Sequence, residues 1–313
     1  MPLREFDVLI SHSYIAPSIY YSIETYLGLT LIAKVDLVMW TQNGAETLPL
    51  VLRRISEAIP KEFVDKRIIV DDRSTDDTRK IAKSFGWSVV PNEGKGISDG
   101  ANTALKCVTS EHFISFEQDL LLAYDWWEKV PRHLLDPKVA IASGVRLPFR
   151  PLALRKLQEY AAENYKRKEK EGGFFPYVKT LDNTIYKTRA MRMLGGFPSL
   201  SVSAGVDHLL AQQVHSKGLR WKVDYDVKSI HLRKGLRDEL AHYYWYGTHS
   251  DALERSLFKR NVSVRLMALR LFFSPLRGLQ IALEKSVPQA IYIYPLLRFA
   301  VLRGVFDGRR RAV

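Results

Sequence analysis

Short apolar runs alternate with amphipathic segments from residue 35 to about residue 145, and this alternation limits the possible folds more than any other feature of the sequence. The apolar runs predict strands at 35–40, 67–70, 88–90, 112–116 and 140–145. The segments between them predict helices at 47–59, 76–85, 97–108 and 124–135. Strands that alternate with helices favour an α/β fold, with a Rossmann-like, mainly parallel sheet flanked by helices.

The second half of the chain has a less regular pattern. It predicts helices at 154–171 and 206–217 and strands at 220–223 and about 227–232. Beyond Glu239 the sequence predicts basic amphipathic helices, which the prolines at 275, 288 and 295 should interrupt. The Tyr- and Ile-rich start of the chain predicts an extension at 1–34 with a helix near 18–32. We therefore expect three parts, namely 1–34, 35–238 and 239–313.

The composition excludes several classes of protein. Hydrophobic residues make up 46% of the chain and charged residues 26%, which is typical of a globular protein. Cys107 is the single cysteine, so the chain forms no intrachain disulfide and no cysteine-based zinc site. This cysteine usage fits a reducing compartment.

The positive charge of the chain is concentrated at its end. The formal net charge is +13, and residues 255–313 hold 12 Lys and Arg against two acids, Glu284 and Asp307. Basic residues interleaved with Leu, Phe, Ile and Tyr fit an anionic membrane surface or a nucleic acid. The apolar faces favour the membrane, and no nucleic-acid reading motif accompanies the basic residues, so we expect no nucleic-acid partner.

No stretch of the sequence reaches the roughly 20 apolar residues that a spanning helix requires. The run at 287–297 is short and contains Pro288 and Pro295, and residues 8–33 carry several polar residues. A basic segment followed by a small-residue cleavage site is missing, so we do not expect a signal peptide. The sequence therefore predicts a peripheral protein on the cytoplasmic side of the cell membrane.

Polar residues follow four of the predicted strands, at 41–44, 71–78, 92–96 and 117–119. Ligands of open parallel sheets bind at the carboxyl ends of the strands. Taken alone, each cluster also fits a structural role as a helix cap, a tight turn or a surface loop. Their shared placement at one edge of one sheet favours a ligand site.

The order of these motifs resembles family 2 glycosyltransferases of the GT-A fold. The resemblance is carried by VDDRSTDDT at 70–78, NEGKG at 92–96 and FISFEQD at 113–119. Downstream, TIYKTRA at 184–190, GGF at 195–197, GVD at 205–207, KGLRWKV at 217–223 and His231 agree with it. It covers about residues 35–231 and implies a GT-A catalytic domain at 35–238.

The resemblance implies a divalent Mn²⁺ or Mg²⁺ ion as cofactor. Asp119 matches the metal ligand of the family's Asp-x-Asp motif, and His231 matches a position that approaches the metal or the diphosphate. Carboxylate oxygens are the ligands that these hard cations prefer. Glu117 stands where the family has its first Asp, so the contact made there is expected to be altered. A structural role for His231 fits equally well.

The donor implied by the resemblance is a nucleotide diphosphate sugar. Asp72 is expected to bind the base, with Thr41 and Asn43 on the other side of the nucleotide. Lys95 suits a phosphate or nucleotide contact. Glu117 and its neighbour Gln118 complete the predicted donor contacts. GDP-mannose is slightly favoured over a UDP-sugar.

Asp207 resembles the Asp of the family's Glu-Asp motif, which acts as the catalytic base, although Val206 replaces the Glu. Inverting sugar transfer needs such a group to accept the proton of the acceptor hydroxyl. An acid in the first turn of a helix is also stabilised by the helix dipole alone, which is the structural alternative.

These features predict an inverting, metal-dependent glycosyltransferase that acts on a hydroxyl of a glycolipid, polyprenyl-linked or glycan acceptor at an anionic membrane surface. Two alternatives stay open, a polyprenyl-phosphate sugar transferase and a catalytically weakened nucleotide-binding scaffold. The family's processive Gln-x-x-Arg-Trp motif is replaced by AHYYWYG at 241–247, which argues for single additions. This aromatic cluster fits either the acceptor side of the site or a contact between the C-terminal helices and the core.

Overall fold

An eight-stranded sheet organises the chain, which a computed structural model describes at residues 34–173, 178–199, 205–233 and 235–311. The strands are β1 (Val35–Thr41), β2 (Val64–Asp71), β3 (Ser88–Pro91), β4 (His112–Phe116), β5 (Leu120–Leu121), β6 (Val139–Pro148), β7 (Thr184–Lys187) and β8 (Arg220–His231). Their order in the sheet is β3-β2-β1-β4-β7-β6-β8-β5. Pairs β1–β2, β2–β3, β1–β4 and β6–β8 are parallel, whereas β7 and β5 pair antiparallel with their neighbours. The predicted mainly parallel α/β fold is confirmed.

Helices cover both faces of the sheet and continue beyond it. They are α1 (Leu48–Ala58), α2 (Thr78–Ser84), α3 (Gly96–Cys107), α4 (Trp126–Lys129), α5 (Leu152–Lys170), α6 (Thr188–Met193), α7 (Val206–Ser216), α8 (Leu236–Phe258), α9 (Val264–Phe272), α10 (Ser274–Lys285) and α11 (Ala290–Arg311). The helix predicted near 18–32 lies outside the described residues. The boundary predicted between 238 and 239 falls in the first turn of α8.

Strand β1 lies in the middle of the core and is buried along its whole length. Its alternate side chains enter two different cores. Leu37 and Met39 pack with α1 on one face of the sheet, and Val38 and Trp40 pack with α3 and α7 on the other. This burial on both faces explains why β1 is a continuous apolar run, since only a strand covered on both sides needs one.

The single helix predicted at 124–135 is wrong. The chain forms the short helix α4, and a 3₁₀ helix follows at Pro131–Leu135. Pro131 has no backbone N–H to continue the α-helical hydrogen bonds, so the first helix ends before it.

The two strands predicted at 220–223 and 227–232 form one strand, β8. Gly144 of β6 pairs with Asp224, and the next residue, Val145, pairs with Lys228. Three residues of β8 therefore bulge out between these pairs, where the sequence pattern is interrupted. An added Cβ on Gly144 would lie 2.8 Å from Asn183 Oδ1 and 3.0 Å from the Val227 carbonyl oxygen, so the bulge requires glycine here.

The C-terminal helices pack through glycines at direct backbone contacts. Gly247 of α8 faces Gly304 of α11, and an added Cβ on Gly247 would lie 2.9 Å from the Gly304 Cα. Gly308, one turn further along α11, faces Thr248 in the same way. The Tyr244 hydroxyl donates a 3.0 Å hydrogen bond to Asp307 beside this contact. Small residues let two helix backbones approach closely, so α8 and α11 form a tight pair.

The predicted proline breaks are correct at two of three positions. Pro275 starts α10, and Pro288 lies between α10 and α11. Pro295 lies inside α11, which continues past it to Arg311. Because Pro295 stands near the start of the helix, it removes a hydrogen bond only from the first turns.

None of the single helices in the described ranges has the length and apolar character to cross a membrane. Helices α9 and α10 meet the length and composition test only when taken together, and a 50° bend separates them.

We expect Gly304→Ala to lower the free energy of unfolding by about 1–3 kcal/mol, the usual cost of overpacking a tight contact. The added methyl group would overlap the carbonyl oxygen of Tyr244 and approach the Gly247 Cα to 2.8 Å. Urea unfolding followed by circular dichroism measures the change. The exposed Arg310→Ala on the same helix is the control, and equal stability of the two variants would contradict the tight contact.

Candidate active site

A cavity of about 330 Å³ opens at the carboxyl ends of β1, β2 and β4, where ligands of such sheets bind. Its size is in the range of small-molecule sites. Seven of the residues predicted for the site line it together: Thr41, Asp72, Glu117, Gln118, Asp119, Asp207 and His231. The structure therefore gathers into one cavity side chains that are up to 190 positions apart in the sequence.

Asn43 and Lys95 do not line this cavity. The Asn43 backbone N–H donates to Ser74 Oγ at 2.9 Å, and Asn43 Oδ1 accepts from the Thr75 backbone N–H at 2.8 Å. Asn43 thus joins the loops after β1 and β2. The backbone N–H of Lys95 donates to Asp99 Oδ2 at 2.8 Å at the start of α3. Their contacts to a donor stay predictions.

Gln118 fixes the loop that follows β1. Its Oε1 accepts hydrogen bonds from the Thr41 hydroxyl and from the Gln42 backbone N–H, the latter at 3.1 Å. Its Nε2 donates to the Gln42 carbonyl at 3.1 Å. A Cβ on Gly44 would lie 2.8 Å from Gln118 Oε1, so this loop packs against Gln118 only because residue 44 is glycine.

Asp72 is held between two loops at the end of β2. Its Oδ2 accepts a 2.7 Å hydrogen bond from the Gly96 backbone N–H, and its Oδ1 pairs with the Arg73 guanidinium. Arg73 also donates to the Gly94 carbonyl at 2.8 Å. These contacts fix the carboxylate at the cavity wall next to the start of α3.

Glu117, Asp119 and His231 form an acidic cluster at the centre of the site. One ligand atom from each lies within 4.8 Å of the others. His231 Nε2 is 3.6 Å from Glu117 Oε2 and 3.4 Å from Asp119 Oδ2. The two acids follow β4, and the antiparallel pairing of β5 with β8 sets Leu120 opposite His231. Short strand β5 therefore brings His231 to two acids that precede it by more than 100 residues.

The electrostatics of this cluster suit a divalent cation. Burial lowers the pKa of His231 to about 4, so the imidazole is neutral at neutral pH and one of its two ring nitrogens has a free lone pair. Burial also raises the pKa of Asp119, and the Glu117 carboxylate adds to this while His231 opposes it. A cation between these groups would relieve the crowding of the two carboxylates. Two carboxylates and a neutral imidazole form a donor set that Mn²⁺ and Mg²⁺ accept.

Arg146 was not predicted from the sequence, yet it lines the cavity beside the cluster. Its Nη1 lies 2.8 Å from Asp182 Oδ2, whose side chain is fully buried, and 3.4 Å from Glu117 Oε2. Burial opposes the charge of Arg146, but Asp182 and Glu117 outweigh it and raise the pKa of Arg146. An arginine inside the otherwise uncharged, largely buried strand β6 was the available signal, since a charged residue there needs a partner.

Asp207 lies in the first turn of α7 and lines the same cavity as the acidic cluster. Gly205 precedes the helix with φ of +89°, a conformation that favours glycine. An added Cβ at Gly205 would also overlap the side chain of Leu253 on α8. Asp207 Oδ1 accepts a 2.9 Å hydrogen bond from the His208 backbone N–H. One of its two oxygens is thus fixed near the helix start.

Helix α8 forms the wall on the far side of the cavity. His242, Trp245 and Tyr246 line it, together with Arg233 from the segment before the helix. Arg233 Nη1 lies 3.5 Å from Glu239 Oε2, which is buried. The aromatic cluster divides between the two roles left open for it. His242, Trp245 and Tyr246 line the cavity, whereas Tyr243 and Tyr244 contact the C-terminal helices.

Comparisons with solved structures give relatives of the same fold. A mannosyltransferase from Pyrobaculum calidifontis, in complex with GDP-Man and Mn²⁺, has 20% identity and a TM-score of 0.58, over 85% of this chain and 73% of that one. Glucosyl-3-phosphoglycerate synthase from Mycobacterium tuberculosis, in complex with Mn²⁺, UDP-Glc and glycerol 3-phosphate, has 18% identity and a TM-score of 0.51, over 72% and 81%. The same enzyme is also known with Mg²⁺ and UDP, at 18% identity and a TM-score of 0.51, over 70% and 79%.

No curated protein sequence matches the chain significantly. The family model of glycosyl transferase family 2 matches residues 36–193, which is half of the chain and includes β1 to β7. The matched residues contain Asp72, Glu117 and Asp119, and the fold and the acidic cavity at its sheet edge agree with the match. The chain therefore belongs to glycosyl transferase family 2.

Proposed function

We propose that this glycosyltransferase is metal-dependent and inverting, and that it transfers a sugar from a nucleotide diphosphate sugar to a hydroxyl group. One observation supports this most strongly. The acidic cluster of Glu117, Asp119 and His231 shares a single cavity with the carboxylate of Asp207. The cavity thus brings together a set of groups suited to a cation and a separate carboxylate that would act on an acceptor.

Asp119 and His231, with Glu117, would hold the Mn²⁺ or Mg²⁺ ion. The bound ion would neutralise the diphosphate as it leaves the sugar. Glu117 is shared with Arg146, which lies 3.4 Å away, so its carboxylate is drawn toward β6. This arrangement gives a physical reason for the longer Glu at a position where the family has Asp, because the extra methylene lets the carboxylate reach both neighbours.

Asp207 would act as the base. Its carboxylate accepts the proton of the acceptor hydroxyl while that oxygen forms a bond to the anomeric carbon of the sugar. The bond between this carbon and the diphosphate breaks on the opposite face, so a single displacement inverts the configuration. The bond from the His208 N–H to Oδ1 orients the carboxylate for this role.

The donor would lie against β1 and β2, with its base near Asp72 and Thr41. GDP-mannose is the favoured donor, because the Pyrobaculum enzyme, which matches 85% of this chain, binds GDP-Man. A UDP-sugar comes next, since the mycobacterial enzyme binds UDP-Glc.

The C-terminal helices would attach the protein to the cytoplasmic face of an anionic membrane, where a lipid-linked or glycan acceptor is available. Large apolar side chains are exposed along α9 and α10, including Phe272 at 76%, Leu283 at 74% and Leu276 at 65%. Arg265, Arg270 and Arg277 are exposed on the same two helices. Apolar side chains next to arginines are the pattern of helices that lie in the interface of an anionic bilayer.

A nucleotide-binding scaffold with weakened catalysis is the second candidate. The contact of Glu117 with Arg146 supports it, because a carboxylate neutralised by arginine is a poorer metal ligand. The first two experiments below distinguish the candidates.

We expect Asp207→Asn to lower kcat by roughly 10²- to 10⁴-fold, the usual contribution of a general base. Donor binding should be unchanged, because Asn keeps the size and the hydrogen bond from His208. Radiolabelled sugar transfer measures kcat, and calorimetry measures donor binding. Asp226→Asn, which alters an exposed acid on the bulge of β8, is the control. Full activity of the Asp207 variant would refute the assigned base, and no turnover by any protein would favour the scaffold.

We expect Asp119→Asn to weaken Mn²⁺ binding by more than roughly tenfold, since even the outer partners of metal ligands contribute this much. Isothermal titration of Mn²⁺ in the presence of GDP or UDP measures the affinity. Asp125→Asn removes an acid just before α4 that pairs with Lys129 at 2.6 Å and does not line the cavity, and it should leave the affinity unchanged. Equal affinities in the two variants would place the metal elsewhere.

We expect the protein to float with phosphatidylglycerol liposomes and the double variant Phe272→Ser/Leu276→Ser to float much less. The variant removes two of the most exposed apolar side chains at the bend between α9 and α10. Met193→Ser, which alters a 66% exposed side chain of the sheet domain, is the control. Equal flotation of the wild type and the double variant would refute this membrane surface.

A further inference from the structure

Three rings on α8 form a continuous wall of the cavity that the donor and metal assignments do not use. His242, Trp245 and Tyr246 stand three and four positions apart, so they project from one face of the helix. All three line the cavity that also holds Asp207. The wall therefore lies within the same space as the proposed base.

The three rings pack against one another. The His242 and Trp245 rings are stacked with centroids 5.7 Å apart and planes at 21°, and Tyr246 meets the His242 ring edge-on at 4.4 Å. The Trp245 and Tyr246 centroids are 5.3 Å apart. Because each ring restricts the motion of the others, they form a preformed apolar surface, which lowers the entropy cost of binding a ligand.

His242 Nε2 is a buried polar atom with no hydrogen-bond partner among the described residues. An unsatisfied buried polar atom is costly, and such atoms in a cavity wall are candidates for a bond to a ligand. Burial lowers the pKa of His242 to about 2, so the imidazole is neutral at physiological pH. In its neutral form Nε2 accepts or donates one hydrogen bond, depending on the tautomer, and a hydroxyl group can complement either.

The charges around this wall do not favour a phosphate. Two arginines are among the described residues that line the cavity, and each already has a carboxylate partner. Arg146 lies 2.8 Å from the buried Asp182, and Arg233 lies 3.5 Å from the buried Glu239. An acceptor phosphate would have to displace one of these partners or stand close to the carboxylate of Asp207.

We propose that the α8 wall is the acceptor subsite and that it binds an uncharged sugar ring, whose C–H face packs on Trp245 and Tyr246 while a hydroxyl bonds to His242 Nε2. This inference rests on the proposed function and names its acceptor class. It places a sugar hydroxyl within the cavity of Asp207. It also separates the two acceptors left open by the sequence, since a polyprenyl phosphate presents a charged group and no sugar ring.

The test compares two acceptor probes in the full-length enzyme. Octyl β-D-glucopyranoside and octyl β-D-mannopyranoside supply a sugar ring, and decyl phosphate supplies a lipid phosphate. Transfer is measured with radiolabelled GDP-mannose and UDP-glucose. We expect transfer to an octyl glycoside and none to decyl phosphate.

The variant His242→Phe keeps a ring but removes Nε2. We expect it to raise KM for the octyl glycoside by about tenfold, the loss of one hydrogen bond, with donor affinity unchanged. His242→Gln, which restores a polar side chain, should recover part of the affinity. Tyr244→Phe is the matched control, because it removes from α8 a hydroxyl that bonds Asp307 of α11 and does not line the cavity.

A measurement on the wild-type protein does not depend on the folding of any variant. Saturation-transfer NMR with irradiation of the aromatic protons should label the ring C–H protons of the octyl glycoside more strongly than its alkyl chain. Labelling of the alkyl chain alone would overturn the subsite.

The outcomes separate the two proposals. Transfer to decyl phosphate but not to the glycosides, or an unchanged KM in His242→Phe, would overturn the subsite and leave the glycosyltransferase assignment intact. If the wild type neither transfers nor hydrolyses either donor and no nucleotide binding is seen by calorimetry, both proposals fail.

Discussion

The ion pair of Arg146 with Asp182 and Glu117 is the interaction on which the site depends. It joins β6 to the end of β4 and to the segment before β7, three parts of the chain that meet only in the folded sheet. Removing one partner of a buried ion pair typically costs about 3–5 kcal/mol, because the other charge is left buried and uncompensated. Here the uncompensated charges would be the carboxylates of Asp182 and Glu117, and Glu117 already lies close to Asp119.

This ion pair explains how two carboxylates and an imidazole can stand within 4.8 Å of one another. Arg146 supplies positive charge from one side, and the other side opens into the cavity, where a cation can enter. His231 adds no positive charge, since burial lowers its pKa. The negative charge of the cluster is thus compensated in part by Arg146, and the remaining negative charge faces the cavity.

The sequence predicts the parts of the fold that depend on local pattern. Strand β1 and helix α1 follow from apolar periodicity, and Asp72, Glu117 and Asp119 follow from their position directly after apolar strands. Strands β5 and β7 were not predicted, because they are short and their antiparallel pairing depends on partners that are distant in the sequence. For the same reason Arg146 was not assigned to the site and the role of the aromatic cluster at 241–247 stayed open, since their neighbours in space are far away in the sequence. Strand β8 was predicted as two strands because three of its residues bulge out of the hydrogen-bonded pairing with β6 and interrupt the sequence pattern.

Helix α8 contacts α11 on one side and lines the cavity on the other, so the two regions are mechanically connected. Its face toward α11 is a contact of backbone on backbone at Gly247 and Gly304, with no side chain between them that could rearrange. A displacement of α11 is therefore transmitted to α8 and to the rings that α8 sets in the cavity. If a ligand of the C-terminal helices changes the affinity for an occupant of the cavity, that occupant changes the affinity of those helices by the same factor, because coupling between two sites is reciprocal.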